Sequence, residues 1–259
     1  MIVQAKYDGR VYDVDMDKGI DLSIENNFSG NAPIFYGSEQ PKAIPQRYGD
    51  FVGDLKTGGS CNVPVISCNI HCTGTHTECI SHVLDSKVRI PDKCPKGLIP
   101  AHVITVQPEN SNYIKDLYHC DISDHLVISK RNIKRNIKRN IKRKILKSYQ
   151  ALIIRTLPND KSKLTRNYDE YPAPFFTNDA TDYICELGVK HLLVDIPSID
   201  KPDDGGMLGN HRSFFKKGDT ISELLFIPDS LRDGFGFLQI QIPSWSLDSA
   251  PSRPIFFPI

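Results

Sequence analysis

The chain has 259 residues, long enough to bury a substantial core without disulfides or a structural metal. Its 32 basic and 31 acidic residues leave a net charge of +1, which argues against a nucleic acid partner. Apolar residues make up 39%, and neither a membrane-length apolar run nor a signal segment occurs, so we expect a cytoplasmic globular protein without a membrane partner. None of the seven cysteines forms a Cys-x-x-Cys pair, and most are expected to stay reduced.

Apolar segments of strand length recur along the chain, with no Gly/Ser linker between them. Strands are predicted at residues 19–24, 63–70, 103–106, 151–156, 191–196, 222–227 and 237–243. Helices are predicted at 121–148 and 177–187, and a loop at 26–45. This mixture indicates a single α/β or α+β domain over residues 1–259, with a sheet at its centre.

A basic repeat interrupts this pattern, because the tetrapeptide at residues 131–134 recurs twice more as far as Lys142. Residues 130–147 hold ten basic and no acidic side chains, which leaves the rest of the chain at −9. Every fourth residue is isoleucine, and on a helix these form one apolar stripe: Ile133, Ile137, Ile141 and Ile145. We favour a surface helix whose stripe packs on the sheet; the alternative is a basic helix that binds an acidic partner.

The densest group of metal-binding side chains lies in residues 71–82, with three of the eight histidines, two cysteines and a glutamate. His76 and Glu78 are two residues apart, so an extended strand projects both to one face. Gly74 permits a turn that brings Cys72 to the same point. The spacing therefore predicts a metal site here.

Farther along the chain, His211 and Glu223 lie near a turn at residues 203–206. Glu223 begins an apolar run, and a carboxylate that enters a buried strand usually needs a cation or a hydrogen-bond donor. Spacing alone does not connect this pair to the first group.

Residues 72–82 resemble the signature of the cyclase family, metal-dependent hydrolases that include bacterial kynurenine formamidase and isatin hydrolase. That signature runs His-x-Gly-Thr-His-x-Asp-x-Pro-x-His, and Gly74-Thr75-His76 and His82 match it in place. The family also carries a later His and Glu twelve residues apart, the separation of His211 and Glu223. The resemblance spans about residues 18–245.

The chain departs from the signature in its first half. Cys72 stands where the family has the first His, Glu78 replaces Asp, and residues 79–80 replace the stretch that contains Pro. His71 and Cys72 point to opposite faces of an extended strand, so only one of them can be a ligand. Counting back four residues from His76 selects Cys72, and His71 is the alternative if the strand is bulged.

The resemblance implies an α/β domain with a central mixed sheet or barrel-like core flanked by helices, of the swivelling β/α/β type. It implies one metal on Cys72 or His71, His76 and Glu78, and a second on Glu78, His211 and Glu223. Zinc is the expected metal and manganese the alternative, with one or two ions bound. A metal-bound hydroxide would attack the substrate carbonyl, and His82 would transfer the proton.

Two functions follow. The first is a metal-dependent amidohydrolase of a small arylformamide or cyclic amide, as in tryptophan catabolism, which by resemblance would be a homo-oligomer. The second is a non-catalytic metal- or partner-binding protein on the same scaffold, which would use the basic segment 130–147. We favour the enzyme, because both halves of the metal site persist.

Overall fold

The computed structural model describes residues 1–140 and 150–259. Within these ranges the helices are α1 (Ile90–Lys93), α2 (Lys130–Asn140), α3 (Asn178–Glu186) and α4 (Gly209–Phe215). The strands are, in chain order, β1 (Ile2–Tyr7), β2 (Arg10–Asp15), β3 (Ile20–Asp21), β4 (Lys42–Pro45), β5 (Arg47–Tyr48), β6 (Phe51–Val52), β7 (Pro64–Ser67), β8 (His76–Glu78), β9 (Ile99–Val106), β10 (Glu109–Asn110), β11 (Leu126–Ile128), β12 (Ala151–Thr156), β13 (Phe175–Phe176), β14 (His191–Val194), β15 (Thr220–Glu223), β16 (Gly234–Gln241), β17 (Ser249–Pro251) and β18 (Arg253–Pro258).

Nine of the described strands form one mixed sheet in the order β17-β8-β15-β14-β12-β9-β16-β18-β3. The central strands β15, β14, β12 and β9 run parallel, and the pairs outside them are antiparallel. Only Ser252 separates β17, at one edge, from β18, which lies next to the opposite edge. The sheet therefore has to curl, and it forms a half-barrel. This confirms the predicted fold class.

The sheet is buried on both faces. On β12, Leu152 and Ile154 point into an apolar cluster shared with α2, α3 and α4. Ala151 and Ile153, which alternate with them, belong to a second cluster that the other sheet strands share. Parallel strands covered on both faces are continuously apolar, which is why residues 151–156 were predicted correctly from sequence.

The predicted helix at 121–148 is wrong at its start. Residues 126–128 form β11, which pairs with β10 and β13, and α2 begins only at Lys130. A reciprocal cap fixes that start: the Ser129 amide donates to Asn132 Oδ1 and the Asn132 amide donates to Ser129 Oγ, both over 3.1 Å.

The apolar stripe of α2 packs on the sheet as expected, because Ile133 and Ile137 are fully buried. Ile141 and Ile145, with the rest of 141–149, lie outside the described residues. Among the residues that are described, no helix has both the length and the apolarity needed to cross a membrane.

Candidate metal centre

Three of the predicted ligands meet because two strands are paired. β8 carries His76 and Glu78, and it lies between β15 and β17. The antiparallel register sets Glu223, at the end of β15, directly opposite His76. Side chains two apart on one strand, and directly opposite across a pair, share a face of the sheet. His76, Glu78 and Glu223 therefore face one region, and the His76 Nε2 atom lies 3.7 Å from Glu223 Oε2.

The segment before β8 is a turn organised by Asn69. Its side-chain oxygen accepts from the His71 amide over 3.1 Å, and its carbonyl accepts from Thr73 Oγ1 over 2.6 Å. Thr75 Oγ1 accepts from the Ile24 amide over 2.7 Å and donates to the Leu224 carbonyl, which fixes the turn to the sheet. The turn leaves His71 Nδ1 3.0 Å from Glu78 Oε2.

The distant pair joins this group through α4. His211 Nε2 lies 3.0 Å from Glu78 Oε1 and 3.4 Å from Glu223 Oε1. Its other ring nitrogen, Nδ1, lies 2.8 Å from Asp200 Oδ2. Glu223 Oε1 also accepts from the Ile199 amide over 2.9 Å. The structure thus brings together His71, His76, Glu78, His211 and Glu223.

His82 lies at the edge of the cluster. Its Nε2 atom is 3.6 Å from Glu78 Oε2, and its Nδ1 atom is 3.5 Å from Asp248 Oδ2. Sequence reasoning missed both Asp248 and Asp200, which contact histidines of the cluster. Each is a single loop carboxylate without a spacing motif, so only the topology shows which histidine it reaches.

Cys72, the ligand predicted from the sequence, lies apart from the group of possible ligand atoms. Among the described residues this side chain joins none of the groups that could hold an ion. It packs instead in an apolar cluster with Ile24, Phe35, Tyr168 and Leu224. Burial raises the pKa of its thiol to about 12, so the thiolate that a metal requires is disfavoured. The arrangement favours His71 in the ligand position.

Buried atoms that lack an aligned hydrogen bond mark where an ion fits. Four side chains place such atoms at the centre of the cluster, some of them in ion-pair contact at 3.0 Å: His71 Nδ1, His76 Nε2, both carboxylate oxygens of Glu78, and His211 Nε2. A bound ion is a standard explanation for buried polar atoms without a well-formed hydrogen bond. Imidazole and carboxylate are ligands of zinc and manganese. The residues present therefore fit a divalent cation.

Two of these residues, His76 and Glu78, have pKa values that favour the protonation states able to bind a cation. Burial lowers the pKa of His76 to about 3, so its ring is neutral. Burial opposes the charge on Glu78, but the neighbouring His211 and His82 outweigh it and hold the pKa of that carboxyl well below its usual range. Glu78 is therefore ionised at neutral pH.

His71 and His211 are charged while no cation is present. Burial works against their protonation, but the contacts of His71 with Asp248 and Glu78 raise its pKa to about 10. The charge of Glu78 and the hydrogen bond to Asp200 likewise raise the pKa of His211 well above its usual value. A cation that binds there would displace one proton from each of these two rings.

A cavity of about 310 Å³ opens onto the cluster. His71, His82, His211 and Glu223 form part of its lining. Much of the remaining wall is apolar, formed by side chains that include Phe35, Tyr36, Pro197, Pro202 and Leu208. A mostly apolar pocket with a few converging polar groups is the usual form of a small-molecule site.

Fold and site thus define the class of protein: its curled α/β sheet carries a buried cluster of histidines and carboxylates. Residues 20–201 match the model of the family described as "Putative cyclase". The chain belongs to that family. The matched region contains His71 to His82, whereas His211 and Glu223 lie beyond it.

Individual proteins resemble the chain over most of its length. A kynurenine formamidase of Bacillus cereus is 25% identical over 205 residues, which are 78% of this chain and 82% of that protein. A solved structure described as a "predicted metal-dependent hydrolase" from Bacillus stearothermophilus has a TM-score of 0.60 at 18% identity, and the match covers 93% of this chain and 98% of the other. Isatin hydrolase A from Ralstonia solanacearum has a TM-score of 0.64 at 15% identity, over 93% and 92% of the two chains.

Proposed function

We propose that the chain is a metal-dependent hydrolase of a small non-peptide amide, an arylformamide or a cyclic amide. The observation that carries the proposal is the convergence of buried ligand atoms from His71, His76, Glu78 and His211, none of them in an aligned hydrogen bond, beside an apolar cavity. The names of the relatives support it, since kynurenine formamidase and isatin hydrolase are both hydrolases of small amides.

Two groups of residues would hold divalent ions. His71, His76 and Glu78 would hold one, and Glu78, His211 and Glu223 would hold a second. Zinc fits these nitrogen and oxygen ligands, and manganese fits them as well. A bound ion supplies a water nucleophile at neutral pH and polarises the substrate carbonyl.

The protein side chains orient the reacting groups. Asp200 accepts from His211 Nδ1 and the Gly74 carbonyl lies 3.1 Å from His76 Nδ1, which leaves the Nε2 atom of each ring directed at the cluster. His82 lines the cavity beside Glu78 and is partly exposed, so it can exchange protons with solvent. In this proposal His82 delivers a proton to the leaving nitrogen.

The cavity suits a flat, mostly apolar substrate. Its aromatic and proline walls match an aryl ring or a small fused ring, and the ligand groups stand where the amide carbonyl would lie. Its volume of about 310 Å³ lies at the lower end of the range found for small-molecule sites.

The proposal is tested by metal analysis and a substrate panel. The purified protein, loaded with zinc or manganese, should retain at least one ion per chain and hydrolyse a member of an arylformamide, cyclic imide and lactone panel. His76→Ala and Glu223→Ala should lose both metal and activity, because each removes a ligand. His82→Ala should keep the metal and lose about 10²–10⁴-fold in kcat.

Asp219→Asn provides the matched control. Asp219 forms an ion pair of 3.0 Å with Lys93 and lies away from the cluster. Its variant should therefore match the wild type in both measurements. Less than one bound ion per chain in the wild type would remove the basis of the proposal.

A further inference from the structure

We propose that Asp248 is a positioning residue that orients two histidines of the site at once, His71 and His82. The inference rests on the proposed function, in which His71 is a metal ligand and His82 transfers a proton. Asp248 immediately precedes β17, about 170 residues along the chain from both histidines.

One carboxylate oxygen serves both rings. Asp248 Oδ2 lies 3.2 Å from His71 Nε2 and 3.5 Å from His82 Nδ1. The two rings stack with their centroids 4.3 Å apart and their planes inclined by 28°, so both present an edge to the same oxygen. Ser249 Oγ adds a contact of 2.9 Å to His71 Nε2 alone.

The backbone of Asp248 is fixed by the strand that carries the ligands. Its carbonyl accepts from the Cys79 amide over 3.0 Å, and the next residue, Ser249, is paired with Glu78. The backbone of Asp248 is therefore fixed beside Glu78, the residue that both proposed metal groups share.

The contacts set the tautomer of each ring. When an ion displaces the Nδ1 proton of His71, the hydrogen that remains on Nε2 points at Asp248 and the lone pair of Nδ1 faces the cluster. A hydrogen on His82 Nδ1 that points at the same oxygen leaves Nε2 directed at Glu78 and the cavity. The Asp248 carboxylate thus orients His71 to bind an ion and His82 to exchange a proton.

His71 needs this support because a turn carries it, not a strand. The pleat of β8 directs His76 and Glu78, but His71 precedes that strand by several residues. Asn69 fixes its backbone, and Asp248 and Ser249 hold its ring. The Asp248 carboxylate thus allows His71, which is one residue out of register with the family signature, to take the position of a ligand.

Three variants separate the two effects of Asp248. Zinc affinity, measured by competition with a chelator, and kcat should each fall about 10–100-fold in Asp248→Asn, the usual cost of losing such a partner. Ser249→Ala should lower zinc affinity, because its hydroxyl contacts the His71 ring. His82→Ala should lower kcat and leave zinc affinity unchanged.

A double variant tests whether Asp248 acts through His82. If it does, Asp248→Asn lowers kcat by less in a His82→Ala background than in the wild type, since the residue through which it acts is gone. Independent roles would instead give multiplicative losses. Asp248→Glu, which keeps the carboxylate, should recover part of both the affinity and kcat.

The outcomes distinguish this inference from the proposed function. A wild type that neither binds zinc nor hydrolyses the panel overturns the proposed function and this inference with it. A wild type that does both, while Asp248→Asn matches the Asp219→Asn control in zinc affinity and kcat, overturns the positioning role alone. Asp219 has nearly the same side-chain exposure as Asp248, 32% against 30%, so the control substitution is made at an equally exposed aspartate.

Discussion

His71 reaches Glu78 because the residues between them do not form one continuous strand. Asn69 accepts hydrogen bonds from the His71 amide and the Thr73 hydroxyl, and the chain turns before β8 begins at His76. The rule that adjacent side chains alternate between faces holds for extended strands only. It therefore does not apply across Cys72, whose side chain points into an apolar cluster.

Cobalt substitution tests which residue binds the ion. We expect the cobalt-loaded wild type to show no sulfur-to-metal charge-transfer band in the near ultraviolet, and Cys72→Ser to give the same spectrum. His71→Ala should lower cobalt affinity by at least tenfold, because it removes a ligand. A charge-transfer band in the wild type that disappears in Cys72→Ser would restore Cys72 as the ligand.

Some site residues could be predicted from the sequence and others could not, for a physical reason. His76 and Glu78 follow from strand periodicity, and the neighbouring apolar run marks Glu223 as a carboxylate that needs a partner. Asp200 and Asp248 act from loops on rings that other segments carry. No local pattern encodes such a contact, because it exists only once the curled sheet has brought distant segments together.

At the scale of elements, buried apolar segments located strands but not always their ends: residues 222–227 were predicted as a strand, whereas β15 spans Thr220–Glu223. β12 and β14 are buried at every residue, and their apolar segments located both strands from sequence. Residues 63–70 were predicted as a strand, but only Pro64–Ser67 is one, and it pairs with β4 outside the large sheet. The loop predicted at 26–45 accordingly ends in β4. Small two-stranded sheets of this kind leave little apolar periodicity to detect.

The stripe of α2 provides a stability test. Ile137 is buried against the sheet, whereas Lys134, one turn away on the same helix, is exposed. Ile137→Ala should lower the free energy of unfolding by about 2–5 kcal/mol through lost burial and the remaining cavity. Lys134→Gln should change it by less than about 0.5 kcal/mol. Equal effects of the two substitutions in urea denaturation would mean that the stripe does not attach this helix to the domain.

At the scale of the whole molecule, the candidate centre joins segments that are far apart in sequence. His71 and Glu78 come from the first third of the chain, while His211 and Glu223 come from α4 and β15. Such a site exists only after β15 and β8 have paired and α4 has packed on the sheet. An ion that binds there binds the folded state and has no comparable site in the unfolded chain.

Metal should therefore stabilise the entire domain. Zinc at 100 times its dissociation constant adds about 2.7 kcal/mol to the free energy of unfolding. For a domain of this size each kcal/mol raises Tm by about 2–4 °C, so the loaded protein should melt about 5–11 °C above the metal-free protein. Asp219→Asn should show the same rise of Tm in calorimetry, because Asp219 contributes no ligand atom. His76→Ala should show little or no rise, because it removes one. If His76→Ala rises as far as the wild type, the stabilising ion is bound elsewhere, and the cluster around Glu78 loses its role as the metal centre.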